Sequence, residues 1–200
     1  MKNTILIDFD GVIRHWSNSE TIDLHNGFQL ESNALFACAF SEKNLKPAIT
    51  GEITHQQWCE QVRLELAEKY GDEIAAKVVN TWYTMASEID YEFIRQIRCM
   101  AGKSRLILVT NATTRLESDL TEAGLNNAFD LVINSSDLGV AKPDVAYFRS
   151  ALELLAVDAG ECLFIDDSAT NVEAARSFGI ESVLHQTSEV TLQRIAKTCG

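Results

Sequence analysis

Four segments of this 200-residue chain end an apolar run on groups able to do chemistry. "TILIDFDGV" carries Asp8 and Asp10, two residues apart, with Gly11 directly after them. Aspartate is disfavoured in strands and expensive to bury unpaired, so two of them at the end of such a run need a physical reason. "RLILVTNAT" delivers Thr110 and Asn111, "SSDLGVAKPD" delivers Lys142, and "CLFIDDSATN" delivers Asp166 and Asp167 with Asn171 a helical turn beyond. Each feature alone has an ordinary structural reading. An Asp-x-Asp can be a solvated turn, Thr110 or Asp166–Asp167 can cap a helix, Asn111 can serve a cap or turn, and Lys142 can be a surface lysine.

The elements that must position these groups are legible around them. Thr4–Phe9, Arg105–Thr110, Leu131–Asn134, Cys162–Ile165 and Glu181–Leu184 are short runs rich in Ile, Leu and Val. Being apolar on both alternations, they fit parallel strands covered on both faces. Helical patterns over Thr114–Ala123, Asp144–Leu155 and Ala169–Phe178 separate them, with Gly124, Gly160 and Gly179 as stop signals. Alternating strand and helix implies an α/β fold with a doubly wound parallel sheet, whose ligands bind beyond the carboxyl ends of the strands. All four chemical segments then meet at one sheet edge.

The first crossover breaks this rhythm. Val12 to Gly102 shows no strand pattern but carries helical ones, Gln56–Tyr70 and Glu73–Met85, the first opened by a Thr54/Gln57 capping box. A helical subdomain inserted after the first strand accounts for it, with hinges near His15 and Asp90.

Gathered carboxylates repel strongly in a partly dry cleft and need a cation. Oxygen ligands without imidazole or thiolate favour Mg²⁺, which readily shares its shell with a phosphate. A lysine and a hydroxyl opposite would hold the remaining phosphate oxygens, the arrangement phosphoryl transfer requires. Gly11, lacking a β-carbon, permits a sharp exit from the strand and close approach of backbone amides to phosphate.

Composition narrows the partners. Against 29 acidic residues stand 17 Lys and Arg, a net charge of -12 that argues against nucleic acid and anionic membrane surfaces. The partner expected is a small-molecule phosphate ester. The first apolar run is too short for a signal peptide or a membrane span. Five scattered cysteines without a C-x-x-C pair (Cys38, Cys59, Cys99, Cys162, Cys199) fit a reducing cytoplasm.

In this order and spacing, "DFDGV", "VTNAT", "GVAKPD" and "IDDSATN" resemble the four motifs of the haloacid dehalogenase-like hydrolase superfamily. The resemblance is to the phosphatase branch with a helical cap after the first strand. It implies a Rossmann-like core over residues 1–14 and 91–200 and a cap over 15–90. It implies Asp8 as nucleophile forming an aspartyl-phosphate and Asp10 as general acid and base. Thr110, Asn111 and Gly11 would contact the phosphoryl group and Lys142 would neutralise it. Asp8, the Asp10 carbonyl, Asp167 and, through water, Asp166 would hold Mg²⁺, the order within the last pair being open. Asp10 favours phosphate esters, because the dehalogenases and phosphonatases carry another residue there. A phosphomutase of the β-phosphoglucomutase type is the alternative; its basic cap residue corresponds to Thr54 here. A non-catalytic binding protein keeping the fold is the other, although the acids it would have lost are present. Arg14, His15, Trp16, Thr50, Gly51 and Glu52 are candidate selectivity residues, a sugar phosphate is the substrate considered, and Trp16 and Trp58 fit cap core.

Overall fold

The computed structural model describes residues 2–16, 24, 26–31 and 33–199. Five strands, β1 (Thr4–Ile7), β4 (Arg105–Thr110), β5 (Leu131–Asn134), β6 (Cys162–Asp166) and β7 (Glu181–Leu184), form one sheet in the order β5-β4-β1-β6-β7. Every pairing in it is parallel. The chain runs outward from β1 through β4 to β5, then returns across β1 to β6 and β7. The sheet therefore reverses direction at β1, the place where open α/β sheets bind ligands.

Because side chains alternate along a strand, each face of the sheet buries its own set. Ile5 and Ile7, with Leu106, Leu108, Leu163 and Ile165, pack against three helices, α5 (Tyr91–Ala101), α6 (Leu116–Glu122) and α10 (Ser188–Cys199). Leu6, Ile107, Val109 and Phe164 pack on the other face against α8 (Val145–Leu155) and α9 (Ala169–Ser177). Each fully buried side chain of this size contributes roughly 1.5–3 kcal/mol. The doubly wound sheet is as the sequence implies.

Between β1 and α5 the chain leaves the sheet. The helices α1 (Ala34–Ala39), α2 (Glu42–Ile49), α3 (His55–Tyr70) and α4 (Asp72–Tyr83) surround an apolar cluster of their own, including Leu35, Trp58, Val62, Leu66 and Val78. The capping box of α3 forms as its sequence implies: Thr54 Oγ1 accepts from the Gln57 N–H at 3.2 Å and Gln57 Oε1 from the Thr54 N–H at 2.7 Å. A short helix, α7 (Ser135–Leu138), follows β5.

Two sequence expectations need correction. The stretch from Val12 to Gly102 does contain strands: β2 (Arg14–Trp16) and β3 (Ser87–Ile89) pair antiparallel, with His15 opposite Glu88. Three-residue strands reading "RHW" and "SEI" have neither an apolar run nor a clean alternation, so no periodicity betrays them. The connectors at His15 and Asp90 consequently run side by side as one ribbon. The stop after α8 is Ala156, left-handed at φ 52°, with Gly160 inside a 3₁₀ turn (Ala159–Glu161). The Val157 N–H closes that helix end on the Leu152 carbonyl at 3.2 Å while Val157 packs on the core, a geometry strong enough to hold a non-glycine.

Cys38, Cys59, Cys99 and Cys162 are free thiols, and the side chain of Cys199 lies outside the described residues. Among the described residues no helix is long and apolar enough to cross a membrane.

Candidate active site

The parallel register sets Ile7 beside Leu108 and Ile165, so the first residues past these strands emerge together. The Asp8 N–H still donates to the Ile165 carbonyl at 2.9 Å, which fixes the backbone under its carboxylate. Asp8 Oδ1 accepts from the Phe9 N–H at 2.8 Å and lies 3.0 Å from Lys142 Nζ. That ammonium also donates to Asp166 Oδ2 at 2.6 Å and to the Val109 carbonyl at 3.0 Å. Lys142 is not a surface lysine; its side chain is fully buried, with three acceptors around its three donors.

Asp166 is buried and heavily used. Its oxygens accept from Lys142, from the Ser168 N–H at 2.8 Å and from Asn171 Nδ2 at 3.1 Å. Asn171 thus orients Asp166 and, through it, the lysine. Asp167, the exposed member of the pair, sits against Gly11. A β-carbon on Gly11, whose φ is 77°, would lie 2.6 Å from the Asp167 carboxyl carbon. The glycine is therefore required by its backbone conformation, and any β-carbon there would push the Asp167 carboxylate aside.

Asp8, Asp166 and Asp167 each present an oxygen within 4.8 Å of the others. When all three are ionised, three carboxylates face one ammonium and two negative charges are in excess. Burial pushes the Asp8 carboxyl up to about 7, the attraction of Lys142 opposing the rise and the charge of Asp166 adding to it. Asp167 is raised for the same reasons, burial first and Asp166 second. Burial works against the Lys142 charge, yet Asp8 and Asp166 outweigh it and hold the ammonium above the ordinary lysine range. Beside burial, the repulsion among these acids works in the same direction, and one divalent cation on oxygen ligands would relieve it.

The remaining expected residues divide into two groups. Thr110 ends β4 buried at the same edge. Asn111 spends both ends of its amide on Lys142, donating to its carbonyl at 2.7 Å and accepting from its N–H at 2.9 Å. Its side chain therefore holds the lysine loop. Asp10 turns toward the helical unit, where Arg14 donates to it from Nε at 2.7 Å and Nη2 at 2.9 Å and the Trp16 indole from Nε1 at 3.0 Å. Arg14 also bonds Asp119 at 2.7 Å, and Asp119 pairs with Arg115 at 2.7 Å.

The helical unit docks beside this edge. The His55 N–H donates to Thr114 Oγ1 at 3.0 Å, His55 Nδ1 meets Thr113 Oγ1 at 2.9 Å, and Arg115 donates to the Tyr83 carbonyl at 2.9 Å. A β-carbon on Gly51 would collide with the Ser136 carbonyl, so this turn touches the core directly. Between the two units lies a cavity of about 470 Å³, lined on the core side by Asp10, Asn111 and Thr113 among others. Of the candidate selectivity residues, Arg14 and Trp16 line it, whereas Thr50, Gly51, Glu52 and His15 do not. Trp58 is buried as expected for cap core, but its ring also forms a cavity wall; Trp16, 46% exposed, is not core.

Sequence reasoning missed Asn134. At the end of β5 it accepts from the Ala112 N–H at 3.2 Å and donates to the Thr113 carbonyl at 3.1 Å, fixing the loop after Thr110. Its place at a strand end was the available signal. Asp119 gave none, since it meets Arg14 across 105 residues.

The family model "haloacid dehalogenase-like hydrolase" matches residues 2–179. Bifunctional epoxide hydrolase 2 of Sus scrofa is 24% identical over 98% of this chain. The chain spans only 38% of that protein's length. Phosphatase MT3486 of Mycobacterium tuberculosis is 36% identical over 38% of this chain and 35% of its own. Among solved structures, a HAD family enzyme from Bacteroides thetaiotaomicron, in complex with magnesium and inorganic phosphate, superposes with a TM-score of 0.74 at 19% identity. It covers 93% of this chain and 95% of its own. With a family match across nearly the whole chain and a fold that agrees, this protein belongs to the haloacid dehalogenase-like hydrolases.

Proposed function

We propose that this hydrolase is a Mg²⁺-dependent phosphomonoester phosphatase acting on a small molecule. The observation that carries the reading is the buried Asp8–Lys142–Asp166 arrangement with Asp167 beside it, two negative charges in excess at the switch point of the sheet. Asp8, Asp167 and the Asp10 carbonyl would hold the ion, with Asp166 engaged too fully by Lys142 and Asn171 to serve except through water. When bound, the ion draws charge off the phosphoryl oxygens and keeps Asp8 ionised.

Asp8 attacks phosphorus, forming an O–P bond as the ester P–O bond breaks and giving an aspartyl-phosphate. Asp10 supplies the proton that the departing alkoxide takes up, then removes one from the water that attacks phosphorus and frees phosphate. Both acids end as they began, and the sum is ester plus water to alcohol plus phosphate. For this Asp10 must release Arg14 as the ester enters, and a side chain 40% exposed has room to turn. Thr110, Gly11 and the backbone at Asn111 bind the phosphoryl oxygens while Lys142 opposes their charge. We assign the core to residues 1–14 and 91–200 and the cap to 15–90, the paired ribbon joining them.

A mutase would need a cation from the cap for its second phosphate. Among the described residues around the cavity the cations are engaged: Arg14 and Arg115 are both paired with Asp119, Arg14 keeping that partner when Asp10 turns away, and burial holds His55 down to about 4, Arg115 adding to the effect. The phosphatase reading predicts Mg²⁺-dependent release of phosphate from an aryl phosphate, abolished in Asp8→Asn. Undiminished release by that variant, or by wild type in EDTA, would overturn it.

A further inference from the structure

We infer that the ester recognised here has an apolar alcohol, an alkyl, alkenyl or aryl group, in place of a sugar. The inference rests on the phosphatase reading for its orientation: the group that protonates the leaving oxygen, Asp10, lines the cavity. The alcohol must extend past Asp10, and the space there is the cavity of about 470 Å³ under the helical unit. That volume suits a ligand of moderate size.

Much of its lining is apolar or aromatic: Phe36, Phe40, Trp58, Trp82, Tyr83 and Met85. The rings brace one another: Trp58 and Trp82 meet edge to face at 4.9 Å, Phe36 and Phe40 stack at 5.6 Å, and Phe36 meets Trp82 at 6.4 Å. Phe40 is 51% exposed and Tyr83 40%, apolar surface that a ligand would cover. Several of the polar groups nearby are engaged. The Trp58 indole donates to the Ala39 carbonyl at 3.1 Å, His55 faces Thr113, and Arg14 and Arg115 are held by Asp10 and Asp119. A sugar hydroxyl desolvated against such walls forfeits about tenfold in affinity for each partner it lacks. An added methylene gains about fourfold.

The chain's three tryptophans, Trp16, Trp58 and Trp82, all line this cavity, so intrinsic fluorescence reports its occupancy without turnover. The test titrates wild type with Mg²⁺ and n-butyl to n-octyl phosphonates, and in parallel measures kcat/KM for the corresponding alkyl phosphates, glycerol phosphate and glucose phosphate. Expected are a dissociation constant that falls about 200-fold over the four methylenes, a matching rise in kcat/KM, and the sugar esters as poor substrates. Phe40→Asp, which places charge on the half-exposed wall, should flatten both slopes. Phosphate release without a chain-length slope would overturn the inference and leave the phosphatase reading standing. Chain-length-dependent quenching without phosphate release would support the apolar pocket and sink the phosphatase. Neither quenching nor release would overturn both.

Discussion

Replacing Lys142 by methionine tests the electrostatic design of the site most directly. Methionine keeps an unbranched, flexible side chain and removes the ammonium that lies 3.0 Å from Asp8 Oδ1 and 2.6 Å from Asp166 Oδ2. Both acids are buried, so without metal the variant holds two uncompensated carboxylates in a dry pocket. Breaking a buried pair by removing one partner costs roughly 3–5 kcal/mol. In a chain of this size each kcal/mol lowers the melting temperature by roughly 2–4 °C, so Lys142→Met should melt roughly 6–20 °C below wild type. The assay is thermal unfolding in EDTA followed from pH 7 to pH 10, because losing the Lys142 attraction moves the Asp8 carboxyl above its wild-type value of about 7 and the full loss appears only where that carboxylate is charged. Adding Asp166→Asn removes one of the stranded charges and should recover part of the loss without restoring turnover. Mg²⁺ should raise the melting temperature of Lys142→Met by more than that of wild type, since its site carries one more net negative charge. If Lys142→Met melts with wild type, or the double variant is no more stable than the single one, Lys142 does not balance these acids and the reasoning fails.

Gly11→Ala should cost roughly 1–2 kcal/mol in backbone strain and displace Asp167, lowering calorimetric Mg²⁺ affinity at least about tenfold; wild-type affinity would contradict the close packing against Asp167. Asn134→Ala leaves the Ala112 N–H without its partner and should cost about 1–3 kcal/mol, with kcat/KM falling as the loop after Thr110 loosens. Denaturant melts and steady-state kinetics of that variant check both, and an unchanged kcat/KM would remove Asn134 from the site's support. His55 is held down to about 4 in the folded state against 6.5 free, so below pH 6.5 the unfolded chain binds the extra proton and stability falls, levelling off below about 4. Because the ring is partly exposed the loss should be modest, ~1–2 kcal/mol, visible as a steeper acid-side decline in wild type than in His55→Gln. Parallel pH profiles would exclude His55 as its source.

Why the acids end their strands can be argued from position alone. Asp8, Thr110 and Asp166 each stand at or just past the last residue of a Val-, Ile- and Leu-rich run, and parallel strands with alternating helices must bring such ends to one edge. Lys142 was legible as a candidate, but its burial was not, because nothing local to "GVAKPD" says that three acceptors will surround it. The ribbon of β2 and β3 escaped notice because its stability comes from pairing across the insertion, from Arg14 to Ile89.

The sequence by itself determined the sheet, the insertion, and the identity of the acids, since these depend on hydrophobic periodicity and on strand-end position, which are local properties. Tertiary structure alone decided which partners each acid takes. Asp166 is committed to Lys142 and Asn171, Asp167 lies against Gly11, and Asp10 is drawn to Arg14. It alone also decided the aromatic cavity, whose walls come from five helices, the β2 strand and connectors remote in sequence. Side-chain pairing and cavity shape are non-local quantities, set by which surfaces the folded chain presses together.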